Sequence, residues 1–129
     1  MPLEESQYPR DWLKVAEKDW RRMGRALDDR DADESGFWLQ QSVEKYLKAY
    51  LLSKGWVLRK IHDLEVLLNE AAAYKPAFGR YASACGKKSG YHLRERYPFV
   101  DSSALTLDEV AGSRDEVTGL VELIRQELE

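Results

Sequence analysis

The stretch GFWLQQSVEKYLKAYLL, residues 36 to 52, constrains the fold more than any other part of the chain. Wound as an α-helix, it places Leu39, Val43, Tyr46, Leu47, Tyr50 and Leu51 on one broad apolar face. Gln40 projects between Leu47 and Leu51, and Glu44 stands at the edge of the same face. An amide and a carboxylate so near a core are costly unless they are paired. In one reading they cap backbone groups or bond another helix, and so fix how helices or subunits meet. In the other, Gln41, Lys45 and Lys48 extend the polar face and the set lines a cleft at a dimer or partner interface. Pairing is the simpler reading, because one polar pair on a helix face commonly fixes register.

The rest of the chain is also written in helical periods. Trp12, Val15, Ala16, Trp20, Met23 and Leu27 repeat at helical spacing between Pro9 and the acidic run DDRDADES. The second helix is expected from about Glu34 to Ser53, with Gly55 as its stop. A third opens at His62 and Asp63, where Asp63 suits an N-cap, carries Leu64, Leu67, Leu68 and Ala71, and ends before Pro76. Residues 76 to 85 suggest a fourth helix that Gly79, Gly86 and Gly90 weaken or fragment. Pro98 breaks RYPFVDSS, and Thr106 with Glu109 has capping-box spacing before a last helix bearing Leu107, Val110, Val117, Leu120, Val121, Ile124 and Leu128. No alternating run specifies a strand. The expected fold is all-α, an up-and-down bundle of about five helices in one domain over residues 1–129.

Composition narrows the function classes. One cysteine, Cys85, permits no internal disulfide, and two histidines are too few for a clustered zinc site, so neither metal nor cofactor is expected. Cys85 reads as a small core residue. No window approaches the ~18 apolar residues of a membrane span, and the polar, acidic start is unlike a signal peptide, so a cytoplasmic location is expected. The net charge of −3 is unevenly spread. Lys87, Lys88, Arg94 and Arg96 face only Glu95 between residues 87 and 96, whereas seven acids face Arg114 and Arg125 after Thr106. The cationic segment can attract phosphate, an acidic partner, or the chain's own last helix.

KKSGYHLRERYP, residues 87 to 98, is the main candidate for function. Lys87 and Lys88 can neutralise phosphate, while Tyr91 and Tyr97 offer faces to bases. His92 adds a group that titrates near neutrality. The alternative is a solvated loop whose arginines pair with Glu44 or the last helix. His62 next to Asp63 is explained by a turn and helix cap, with phosphate or base recognition as its other use. Trp12 and Trp20 belong to the core stripe of the first helix. Trp38 falls on the side of the second helix away from Leu51, where an exposed aromatic would suit an interface.

In their order, DWLKVAEKDW, FWLQQSVEKYLKAYLLSKG, HDLEVLL, RYPFVD and the capped last helix resemble the HEPN family over roughly residues 11 to 126. The resemblance implies a helical bundle that commonly dimerises and often pairs with a minimal nucleotidyltransferase, frequently as toxin and antitoxin. Many such proteins are metal-independent ribonucleases, with an arginine followed, after four to six intervening residues, by a histidine. Here those positions hold Gly55, Trp56 and Val57 before His62, and Cys85, Gly86 and Lys87 before His92. None is arginine, and lysine does not reproduce a bidentate guanidinium.

Three expectations follow. The first is a dimeric module that partners a nucleotidyltransferase and binds nucleotide or RNA phosphate through Lys87, Lys88, Tyr91 and Tyr97. The second is a divergent endoribonuclease toxin using His92 with Arg94 or Arg96. The third is a non-catalytic scaffold subunit whose cationic segment docks an acidic partner.

Overall fold

The computed structural model describes residues 3–88 and 105–129, with Glu4, Lys87 and Lys88 in backbone only. A 3-10 turn at Leu3–Glu5 leads into α1 (Pro9–Asp28) and α2 (Ala32–Ser53). After a connector come α3 (Leu64–Tyr74), a 3-10 segment (Pro76–Tyr81), α4 (Ala82–Lys88) and, last, α5 (Leu107–Leu128). No strand occurs among the described residues. The fold is the expected all-α bundle.

α2 occupies the centre because its apolar face is too wide for one neighbour. It packs against α1, α3 and α5, and all six residues of the expected stripe are fully buried. Tyr50 meets Phe78 of the 3-10 segment edge to face at 4.6 Å. Val110, Val117, Leu120, Val121 and Ile124 close the core from α5.

Helix ends follow their local chemistry. Asp31 accepts from the Glu34 N–H at the start of α2, and the Asp63 carboxylate accepts from the Glu65 and Val66 N–H groups at the start of α3. Thr106 and Glu109 form the reciprocal capping box of α5. At the end of α2, Gly55 takes φ +85° and turns the chain into the connector.

Two features differ from the sequence reading. The fourth segment begins as a 3-10 helix and then runs α-helical past Gly86 rather than stopping near Cys85. Gly86 lies within the helix, where a Cβ would lie 2.5 Å from the carboxylate end of the exposed Glu65 side chain, which can swing aside. The inner line of α1 is Trp12, Ala16, Asp19, Met23 and Ala26, while Val15, Trp20 and Leu27 flank it half-buried. Asp19, an acid, thus lies in the middle of the packed line.

A polar tie joins three helices at Tyr46. Its hydroxyl donates to Glu17 of α1 at 2.7 Å, and Arg125 of α5 grips Glu17 through Nε at 2.9 Å and Nη2 at 2.7 Å. Arg125 Nη2 also donates to the Tyr46 oxygen at 3.1 Å. Arg125 holds the Glu17 carboxyl below the usual carboxylate range, against burial and with the Tyr46 hydrogen bond assisting. Burial first, and the bond to Glu17 second, push the Tyr46 phenol well above its ordinary value.

Candidate functional site

Gln40, Glu44 and Lys48 stand one helical turn apart on α2 and are all buried. Glu44 accepts from Lys48 Nζ at 3.1 Å and from Gln40 Nε2 at 3.3 Å. His62, arriving on the connector, brings Nδ1 to 3.2 and 3.3 Å from the two Glu44 oxygens. Gln40 Nε2 also lies 3.4 Å from the His62 backbone carbonyl oxygen, and Gln41 Nε2 donates to the Gln40 side-chain oxygen Oε1 at 2.7 Å. The buried carboxylate is therefore met by an ammonium, an amide and an imidazole, which offsets the cost of taking it out of water. These bonds also fix where the connector meets α2.

A second buried acid lies beside it. Asp19 of α1 accepts from Lys45 in a short ion pair and from Arg22 Nη1 at 3.0 Å. Lys48 Nζ stands 5.3 Å over the Trp12 ring, while the Trp12 indole N–H donates to the Ser6 carbonyl at 2.9 Å. Nothing in the reading of α1 flagged Asp19. The available signal was its spacing of three from Ala16 and four from Met23, which puts it on the buried line.

Of these groups, Gln41, Glu44, Lys45, Lys48, His62 and Trp12 line a cleft of about 380 Å³ between α1, α2 and residues 58–62. Leu3, Trp12 and Leu58 form its apolar wall, and Lys45, Lys48, Arg59, Lys60 and His62 bring nitrogen to it. Arg59 pairs with Glu70 of α3, whereas Lys60 is exposed and has no partner among the described residues. The His62 side chain is 67% exposed, so the ring reaches solvent while Glu44 orients it.

Asp63 caps the start of α3 and is not among the residues that line the cleft. Lys87 and Lys88 end α4. Tyr91, His92, Arg94, Arg96 and Tyr97 lie outside the described residues. Trp38 is half-buried, with Arg22 4.6 Å above its ring and Glu34 accepting its indole N–H at 2.9 Å, so much of its surface is already covered within the chain. Among the described residues no three His, Cys, Asp or Glu side chains gather as a metal site, and no helix is long and apolar enough to cross a membrane.

The HEPN domain model matches residues 9–127, nearly the whole chain. The chain belongs to the HEPN family. The fold of this HEPN domain is similar to the crystal structure of TT1696 from Thermus thermophilus, with a TM-score of 0.78 at 21% identity. The match covers 92% of this chain and 96% of that one, and at such identity it speaks for the fold alone. No curated protein matches the HEPN domain described here.

Proposed function

We propose that this HEPN domain is a dimeric binding module that partners a minimal nucleotidyltransferase, as one half of a toxin and antitoxin pair, and takes the phosphate of a nucleotide or RNA. The family match over residues 9–127 carries the reading, because the segment with Lys87, Lys88, Tyr91 and Tyr97 lies inside it. Both flanks of that segment have firm footing: Cys85 is fully buried before it, and Leu105 is buried after it. Cations interleaved with tyrosines suit phosphate neutralisation and base stacking. A nitrogen-rich cleft on a chain of net charge −3 adds a second place where an anion is attracted.

The test is fluorescence anisotropy with a labelled single-stranded RNA and with labelled ATP in EDTA, across a salt series. Binding should weaken as salt rises and fall in Lys87→Ala and Arg94→Ala, with the RNA left intact. Absence of binding by the folded protein overturns the module. Cleavage that disappears in His92→Ala replaces it with a nuclease working through His92, Arg94 and Arg96. Recovery of a minimal nucleotidyltransferase with the tagged protein from its own cells tests the partnership, and its absence from the eluate overturns it.

A further inference from the structure

We propose that the outward face of α1 docks an acidic helix of a partner protein, whose carboxylates meet Arg10, Lys14, Lys18, Arg21 and Arg25 and whose end places an apolar side chain in the groove beside Arg10. The inference stands apart from the phosphate-binding segment and does not rest on it. Three observations carry it.

The first is an unanswered row of charge. At about 100° per residue the five cations fall within an arc of about 80°, on the side of α1 away from the buried line of Trp12, Ala16, Asp19, Met23 and Ala26. All five are exposed, and none has an ion-pair partner among the described residues. Other arginines of the chain do pair: Arg22 with Asp19, Arg59 with Glu70, and Arg125 with Glu17 and Glu122. The acids of α1 near the row are engaged elsewhere, because Asp11 accepts from Ser6, Glu17 is gripped by Arg125, and Asp19 is buried under Lys45. Arg21 acts on Glu17 only across a distance. Only Asp28, at the very end of the helix, adds an acid to the same arc. The face is therefore positive on a chain of net charge −3, and it draws an acidic surface toward it.

The second is spacing. The cations follow one another at intervals of four, four, three and four residues, which keeps them in line for about 22 Å. Alternating steps of three and four are the period of a seam between two helices lying side by side. A partner helix with Glu or Asp at the same intervals meets the row along its whole length. Three of the five are arginine, whose planar fork matches a carboxylate. A nucleic acid strand calls for rings among the cations on which its bases can stack, and this arc of α1 has none.

The third is an anchor. Exposed ion pairs contribute little each, so a row of them gains most beside a place that buries apolar surface. A groove of about 370 Å³ opens at Arg10, with Tyr8, Leu13 and Leu128 in its wall. Tyr8 is 62% exposed, so its ring is at hand to cover a guest side chain. Arg10 belongs to both the groove and the row, which lets one helix engage both.

The experiment follows two labelled helical peptides of about 20 residues by fluorescence anisotropy with the full-length protein. One has Glu at the intervals of the row and Leu at one end, and the other has the same composition with its Glu spread around the helix. The matched peptide should bind about tenfold tighter and weaken as salt rises. Lys14→Ala, Lys18→Ala and Arg25→Ala change exposed side chains and leave Arg21 beside Glu17; together they should weaken the matched peptide about tenfold, at roughly two- to threefold each. Tyr8→Ala should weaken the matched peptide but not a version with Ala in place of its Leu. Lys87→Ala should leave the peptide affinity unchanged. Equal binding of the two peptides overturns the helical partner, and indifference to the triple change overturns the site. If a single-stranded RNA loses affinity in the triple variant while the matched peptide does not, the row is a nucleic acid surface and the proposal falls. If sedimentation velocity shows that the triple variant loses self-association, the row belongs to a second copy of the chain and the partner assignment falls.

Discussion

At Glu44 and Lys48 two opposite charges are buried together, with side chains 5% and 3% exposed. Such a pair adds little net stability over an apolar pair of similar size, but removing one partner strands the other away from water. Lys48→Met alone should therefore destabilise the protein by about 3–5 kcal/mol, whereas the double change Glu44→Leu with Lys48→Met should return it to within about 1 kcal/mol of the starting protein or above it. Urea denaturation of the singles and the double reads the cycle. A Lys48→Met protein as stable as the parent would show that Glu44 draws its compensation from Gln40 and His62 alone. The polar intrusion was legible in the sequence, because Gln40 and Glu44 interrupt an apolar face. The depth of Lys48 was not, since a lysine on a helix edge reads as solvated until a neighbouring ring, here Trp12, covers its stem. The reach of His62 was hidden for another reason: its partner lies 18 residues away, and periodicity within one element carries no information about a contact between elements.

Within α5, two exposed glycines with the same sequence appearance differ in what surrounds them. Nothing lies within 4 Å of a Cβ built at Gly112, but one at Gly119 would stand 2.4 Å from the Tyr81 hydroxyl oxygen. Gly112→Ala should raise stability by about 0.5–1 kcal/mol through helix propensity. Gly119→Ala should instead lower it by about 1–3 kcal/mol, because Tyr81 must move from its packed position. Adding Tyr81→Phe to Gly119→Ala should recover part of that loss. Thermal unfolding of the three variants checks the contrast, and equal gains at both glycines would mean that Tyr81 moves aside without cost. Element boundaries were legible wherever capping chemistry is local, as at Asp63 and at Thr106 with Glu109. The end of the fourth segment was misjudged because Gly86 looks like a helix breaker in sequence, whereas α4 runs through it to Lys88 while packing against α3. That is a property of two packed elements, and neither sequence segment alone contains it.

At the scale of the whole molecule, the broad face of α2 forecast a bundle, but not which polar contacts hold the surrounding helices in place. The Glu17, Tyr46 and Arg125 tie is one of them, and it makes stability depend on pH in both directions. Arg125 chiefly lowers the Glu17 pKa in the folded state, so near the ordinary value of 4.5 the unfolded chain binds more protons than the folded one. Its contribution is complete above that value and is lost as pH falls through the folded pKa. The Tyr46 phenol moves the other way, chiefly by burial, so near pH 10 the folded protein keeps a proton that the unfolded chain releases. Its contribution is complete below pH 10 and is lost as pH rises toward the folded pKa. Arg125→Met should lower stability at pH 7 by about 1 kcal/mol, a figure discounted because Glu17 and Arg125 are each 30% exposed. The same change should flatten the acid limb of the stability profile, and Tyr46→Phe should flatten the alkaline limb. Urea midpoints from pH 3 to 11 for the parent and the two variants test both arms. An acid limb as steep in Arg125→Met as in the parent would place the controlling carboxylate elsewhere, and the tie would then align α1, α2 and α5 without setting their response to acid.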